Sequence, residues 1–268
     1  MARVRRTAMA YKDLLVMVDD NPAARERVSH AVDLAERFDA HLTGLCVSSI
    51  SAPEMPQRTA AARKLFEDAI GRRRISAEWR AATGFPVDVA AVQGRYADLI
   101  VLGQLDPADA QAGVNSPPPE DIALSVGRPI LVVPYVGRYS PVGRRVLVAW
   151  DASREATRAV NDAMPLLAAA ATVTVLTIDP TIGRTGHGDV PGADIALHLA
   201  RHGVKVQVEK TVSGGVGIGD VLLSRASDLE ADLLVMGAYG HSRVRELVLG
   251  GATRTVLMSM TLPVFMSH

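Results

Sequence analysis

Two tandem α/β domains, each a doubly wound five-stranded parallel sheet with helices on both faces, is the architecture this sequence predicts. Three observations predict it. The first is an internal repeat: residues 13–19 (DLLVMVD) parallel 145–151 (RVLVAWD) at an offset of 132, and 97–103 (ADLIVLG) parallel 231–237 (ADLLVMG) at an offset of 134. Arg128-Pro129-Ile-Leu-Val-Val matches Leu262-Pro263-Val-Phe-Met at the same 134. The second is that these blocks are apolar runs without alternation, the pattern of strands buried on both faces of a parallel sheet. The third is that they alternate with segments of helical apolar spacing, which implies right-handed crossovers. The first domain is expected over residues 12–136 and the second over 144–268, with the glycine and proline of 136–143 (VGRYSPVG) as linker.

In the first domain, residues 13–18 read as a strand. A helix follows over 22–38, where Val28, Ala31, Leu34, Ala35 and Phe38 fall on one face, with Asn21 as N-cap and Pro22 in the first turn. Residues 41–47 are a second strand, and the Ala-, Arg- and Glu-rich 57–75 a helix. A strand over 76–82, a helix over 86–96 and a strand over 98–102 come next, then a short helix over 120–126 and a strand over 130–133. The second domain repeats the order: strand 146–150, helix 155–169, strand 173–178, a glycine-rich loop at 183–188, helix 193–202, strand 205–210, helix 220–229 and strand 232–236. Val256, Leu257 and Met260 suit a short helix, and 264–266 close the sheet.

Composition excludes several classes. The chain has 268 residues, 48% hydrophobic and 22% charged, with 29 basic and 29 acidic side chains. It therefore carries no net pull toward nucleic acid or an anionic membrane. The single cysteine, Cys46, has no internal disulfide partner and lies in apolar LTGLCV, where it reads as a small buried hydrophobe. The basic amino end, MARVRRTAMAYKD, lacks the apolar core of a signal peptide, and no run approaches the ~18 residues that span a bilayer. A cytoplasmic protein is the expectation.

Chemistry concentrates where the strand ending at Met236 gives way to glycine. Gly237 and Gly240 bracket a tight turn, nine residues intervene, and Gly250 and Gly251 precede the helix of Ala252, Thr253 and Arg254. Glycines let backbone approach a ligand, and free N–H groups at a helix start attract anions, so the outline is that of a phosphate cradle; connecting turns alone are the plainer reading. With the surrounding ADLLVMG, the G-x2-G-x9-G spacing resembles the nucleotide motif of the universal stress protein family. That resemblance covers nearly the whole chain in two copies and implies an adenine nucleotide alpha hydrolase-like fold. It also implies binding of ATP or another adenine nucleotide, with or without magnesium, in the second domain, a role in stress response, and pairing of domains through their fifth strands. In that family Ser or Thr follows the last glycine; here Gly251 does, so a hydroxyl contact to phosphate falls to Thr253 or is lost.

In a doubly wound sheet, ligands bind beyond the carboxyl ends of strands where the winding reverses. Carried onto this sequence, the resemblance implies Asp151 at the adenine or ribose side and Ile178 as the backbone that reads adenine. Asp151 could equally cap the following helix. Trp150 could line the adenine pocket or pack as plain core, and Met236 ends the motif strand. Ser242 and Arg243 could donate to phosphate oxygens or belong to a solvated loop or a subunit contact. The first domain tests the motif: Asp106, Ser116 and Pro117 stand where Gly240, Gly250 and Gly251 stand in the second, with Asp109 adding charge and Pro117–Pro119 lacking N–H groups. That domain is expected to keep the fold without the phosphate site.

Residues 213–219 (SGGVGIG) follow the third strand of their domain, not the first, and read as a strand-to-helix connection. Neither G-x-x-x-x-G-K-[ST] nor an early G-x-G-x-x-G occurs. For hydrolysis His241 is the one nearby base, with no paired acids beside it. The expectation is thus a nucleotide-binding regulatory protein that self-associates through sheet edges. The alternatives are a nucleotide-independent scaffold with both sites decayed and a weak ATPase.

Overall fold

The structure, a computed structural model, describes residues 10–48, 55–71, 73–108, 116–139, 141–180, 190–240 and 251–268. Its strands are β1 (Asp13–Met17), β2 (His41–Ser48), β3 (Ala77–Thr83), β4 (Leu99–Gly103) and β5 (Ile130–Val133), then β6 (Arg145–Ala149), β7 (Thr172–Ile178), β8 (Val206–Thr211), β9 (Leu233–Gly237) and β10 (Val264–Ser267). They form one ten-stranded sheet in the order β3-β2-β1-β4-β5-β10-β9-β6-β7-β8. Every pairing is parallel except the central one, where β10 runs antiparallel to β5 with Phe265 opposite Leu131. Each half has the same internal order, so the winding reverses between β1 and β4 and again between β6 and β9.

The unalternated runs are buried on both sides, as expected. Leu14 and Val16 join one apolar layer while Leu15 and Met17 join the other, and Leu233 and Val235 divide likewise from Leu234 and Met236. Each such Val or Leu contributes roughly 1.5–3 kcal/mol on leaving water. The first layer is closed by helices α1 (Ala24–Phe38), α2 (Met55–Ile70), α5 (Arg154–Asp162), α6 (Met164–Ala169) and α7 (Ala193–Arg201). The second is closed by α3 (Pro86–Gly94), α4 (Pro119–Ser125), α8 (Ile218–Asp228) and α9 (Ala252–Ser259). Cys46 sits within the first layer, and burial pushes its thiol pKa up. Among the described residues no helix is long and apolar enough to cross a membrane.

Three boundaries differ from the sequence expectation, each for a local reason. The helix expected over 155–169 is two, because Pro165 withdraws an N–H and α6 restarts after Ala163. The helix expected to reach residue 75 stops at Ile70, since Gly71 turns the chain at φ +48°. Asn21 does not cap α1: its Oδ1 accepts from Ala23 N–H at 2.9 Å in the turn ahead of the helix, whose N-cap is Ala23. The 213–219 segment is indeed the β8-to-α8 connection, turning through Gly214 and Gly215 at φ +61° and +87°. The loop at 183–188 lies outside the described residues.

Candidate functional site

The carboxyl ends of β6 and β9 lie side by side at the reversal of winding, and α5 starts between them. Asp151, just past β6, accepts from Ser153 N–H at 3.0 Å and from its hydroxyl at 2.6 Å. Ser153 in turn caps α5, its Oγ accepting from Ala156 N–H at 3.1 Å. The exposed Asp151 thus fixes the cap of the next helix, the plainer of its two expected roles, and keeps its outer face toward solvent.

Gly237 is glycine for a reason unlike the one the motif suggests. A Cβ there would stand 2.6 Å from Ala156 N and 2.7 Å from the Glu155 carbonyl carbon, so what approaches closely is the first turn of α5. Gly240 is next to the same turn: its Cβ would lie 3.0 Å from Glu155 Oε2 and 3.5 Å from Ser153 Oγ. Glu155 is buried, and its other oxygen is 3.8 Å from the exposed Arg154 guanidinium. Ser153 and Glu155 were missed in the sequence. The signal that could have found them is a serine two residues past a strand-end aspartate, at a helix start.

Between the glycines the turn is held from both sides. Ala238 N–H donates to Ser267 O at 2.8 Å, and Tyr239 N–H donates to Thr253 Oγ1 at 3.3 Å. Thr253 is 3% exposed, so its hydroxyl ties α9 to the β9 turn while its proton stays available to another acceptor. Gly251 precedes α9 at φ −54°, ψ 152°, and among the described residues no side chain caps the helix, so N–H groups of its first turn are available to another acceptor. Gly219 lets this turn seat against α8, since a Cβ on it would meet Thr255 Cβ at 2.6 Å and Ala252 O at 3.0 Å.

Backbone strain gathers at the same edge. Ala152, Asp179 and Tyr239, in the loops after β6, β7 and β9, adopt φ +60°, +46° and +57° without being glycine. The described residues directly after β1 and β4 show no non-glycine residue of this kind. Asp179 binds its loop to the next: Ser213, through its hydroxyl and its N–H at 3.0 Å, holds the carboxyl pKa below the usual range.

The remaining expected site residues divide. Trp150 is half-buried against the layer beneath α5 and α7, whereas Ile178 and Met236 belong to the opposite layer, so Trp150 packs as core rather than joining them. Asp151, Gly237 and Gly240 converge on α5, and Gly251, Ala252 and Thr253 open α9 one turn away. Ser242, Arg243, Gly250 and His241 lie outside the described residues. Among the described residues no group of three or more His, Cys, Asp or Glu is placed to hold a metal ion.

In the N-terminal half the corresponding space is filled. Arg27, from α1, places Nη2 2.9 Å from Asp19 Oδ2, and both side chains are nearly inaccessible. The guanidinium also presses on Gly103, at the Gly237 position, where a Cβ would collide with it. Ser116, at the Gly250 position, donates its hydroxyl to Asp19. Burial alone would raise the Asp19 pKa, but the Arg27 charge, with hydrogen bonds from Ser116, Arg27 and Asn21, holds it below the ordinary carboxylate range. Ala159 stands in the C-terminal half where Arg27 stands here, at the offset of 132. Pro118 and Pro119 open α4, so the first turn there offers fewer donors than α9 does. Asp106 accepts from Ala108 N–H within its own turn, and Asp109 lies outside the described residues.

Comparison with known proteins gives a consistent result. The model of the universal stress protein family matches residues 10–106 and 143–268. A universal stress protein of Synechocystis, Slr1230, is 30% identical over 191 residues, 68% of this chain and 62% of that protein. The chain thus spans less than two thirds of that relative's length. Among solved structures, a universal stress protein from Archaeoglobus fulgidus superposes with a TM-score of 0.67 at 17% identity, covering 95% of this chain and 96% of its own. A functionally unknown protein from Pseudomonas aeruginosa, PA1789, gives 0.60 at 17% identity, covering 96% of this chain and 92% of its own.

Proposed function

The chain belongs to the universal stress protein family, and from that membership we propose that it is a tandem stress-response protein that binds ATP or a related adenine nucleotide in its C-terminal half. The observation that carries the proposal is local. The first turn of α9, without a side-chain cap among the described residues, the Gly237–Gly240 turn and two strained loop residues, Ala152 and Tyr239, lie at the winding reversal of one half, while a buried ion pair fills the matching place in the other. Phosphate oxygens would take the α9 N–H groups, and the nucleoside would extend toward Asp151 and the end of β7 at Ile178. The two halves are the domains of residues 12–136 and 144–268, the first serving as a locked partner.

Magnesium fits this site better than a bare triphosphate does. The Glu155 carboxylate faces Gly240, and a carboxylate beside a polyphosphate is repulsive unless a cation lies between them. Glu155 is the residue that would face that cation. Titration of purified protein with ATP by calorimetry is expected to give saturable binding that is tighter with magnesium than with a chelator. Gly240→Phe should abolish it, and Glu155→Gln should narrow the difference between the two conditions.

One observation favours a second reading, a nucleotide-independent scaffold: no hydroxyl stands directly after the last motif glycine, and the nearest one beyond it, that of Thr253, is buried. Absence of ATP binding by the wild-type protein, with or without magnesium, would replace the first reading with this one. The proposal is one of binding, and nucleotide-dependent changes in shape or partner affinity are its output. The fifth strands meet inside one chain, so further self-association of whole chains is assigned to the outer edges, β3 and β8.

A further inference from the structure

Gln104 lies in the N-terminal half, one residue past β4, and is buried. Its Nε2 donates to Leu257 O at 2.9 Å and to Met258 O at 3.2 Å, the carbonyls at the tail of α9 in the other half. Its Oε1 accepts from Tyr135 N–H at 3.4 Å, so the amide fits in one orientation only. The last carbonyls of a helix have no intrahelical partner, and α9 has no basic residue in its last turn. The antiparallel seam explains the meeting: it places the carboxyl end of β4 at the level where α9 terminates before β10.

The contact is one-directional. At the offset of 134, Ala238 occupies the place of Gln104 in the C-terminal half, and it has no donor to offer α4. At the Gly240 position the first domain carries Asp106, and at the Ala238 position an amide that grips its neighbour.

We propose that Gln104 is a positioning residue for the nucleotide site: it anchors the tail of α9 and thereby fixes where the first turn of that helix presents its N–H groups to phosphate. The eight residues of α9 form a rod of roughly 12 Å, held at its head by Thr253–Tyr239 and Gly219 and at its tail by Gln104. Releasing the tail lets the head swing. The inference rests on the nucleotide reading above and adds that the N-terminal half sets the affinity of a site it does not line.

The test uses the full chain with Gln104→Met, which keeps the volume and removes both donors, and Gln104→Glu, which sets a negative charge against the negative end of the helix. ATP and adenosine affinities are measured by calorimetry, and amide hydrogen exchange over residues 252–259 is followed without nucleotide. Gln104→Met is expected to weaken ATP binding about three- to tenfold, to leave adenosine affinity unchanged and to speed exchange in α9, with Gln104→Glu worse on both measures. An equal loss for ATP and adenosine would make the role merely structural and overturn the proposal, as would unchanged ATP affinity. If wild-type protein binds no nucleotide, the exchange data still decide the anchor: unchanged protection of α9 in Gln104→Met overturns it, and faster exchange confined to α9 upholds it while the nucleotide reading alone falls.

Discussion

Asp19 and Asp151 hold matching places at the ends of β1 and β6, yet their neighbours give them different work. Asp151 orients Ser153 at an open edge, whereas Asp19 is closed over by Arg27 and Ser116. Removing Arg27 leaves a buried carboxylate without its counter-charge, so Arg27→Met should cost about 3–5 kcal/mol in urea unfolding at pH 7. It should not change nucleotide affinity in the other half. The pH dependence follows from the depressed Asp19 pKa. Its stabilisation is complete above the unfolded carboxylate value near ~3.9 and disappears as pH falls through the lower folded value; Asp19→Asn should flatten the stability curve in that acid window. The aspartates were legible in the sequence from the repeat alone. Arg27 was not, although it sits four residues before Ala31 on the apolar stripe of α1, because an arginine among solvated ones carries no mark until burial is known.

At the scale of the element, what matters is how closely α5 approaches β9. The sequence located Gly237 but attributed it to a ligand; the structure shows that α5 backbone occupies the space a side chain would need. A backbone neighbour cannot swing aside as a side chain can. Gly237→Ala is therefore expected to destabilise the protein by about 1–3 kcal/mol, read as a lowered thermal midpoint, and to disturb nucleotide binding by displacing Ser153 and Glu155. Strand positions were legible to within a residue or so because unbroken apolar runs admit little ambiguity. Helix ends were less so, since Pro165 and Gly71 act through backbone geometry that apolar periodicity does not register.

For the molecule as a whole, duplication was readable from constant offsets, and the family resemblance implied that domains pair through their fifth strands, as β5 and β10 do here. What no local pattern announced was the traffic across the seam: Gln104 onto α9, Tyr11 hydroxyl onto Asp162 O at 2.8 Å, and Arg158 onto Gly127 O at 2.6 Å. These bonds, with fully buried Phe265 opposite Leu131, join the halves across a shared core. Phe265→Ala is expected to cost about 3–5 kcal/mol and to shift a single urea transition rather than split it in two; separate melting of the halves would contradict a shared core. Because β5 and β10 run in opposite directions, the two strand-end mouths open at opposite poles of the sheet. A macromolecule settling on the pole where α9 begins leaves the pole closed by Arg27 bare, so the chain, for all its internal duplication, has a front and a back.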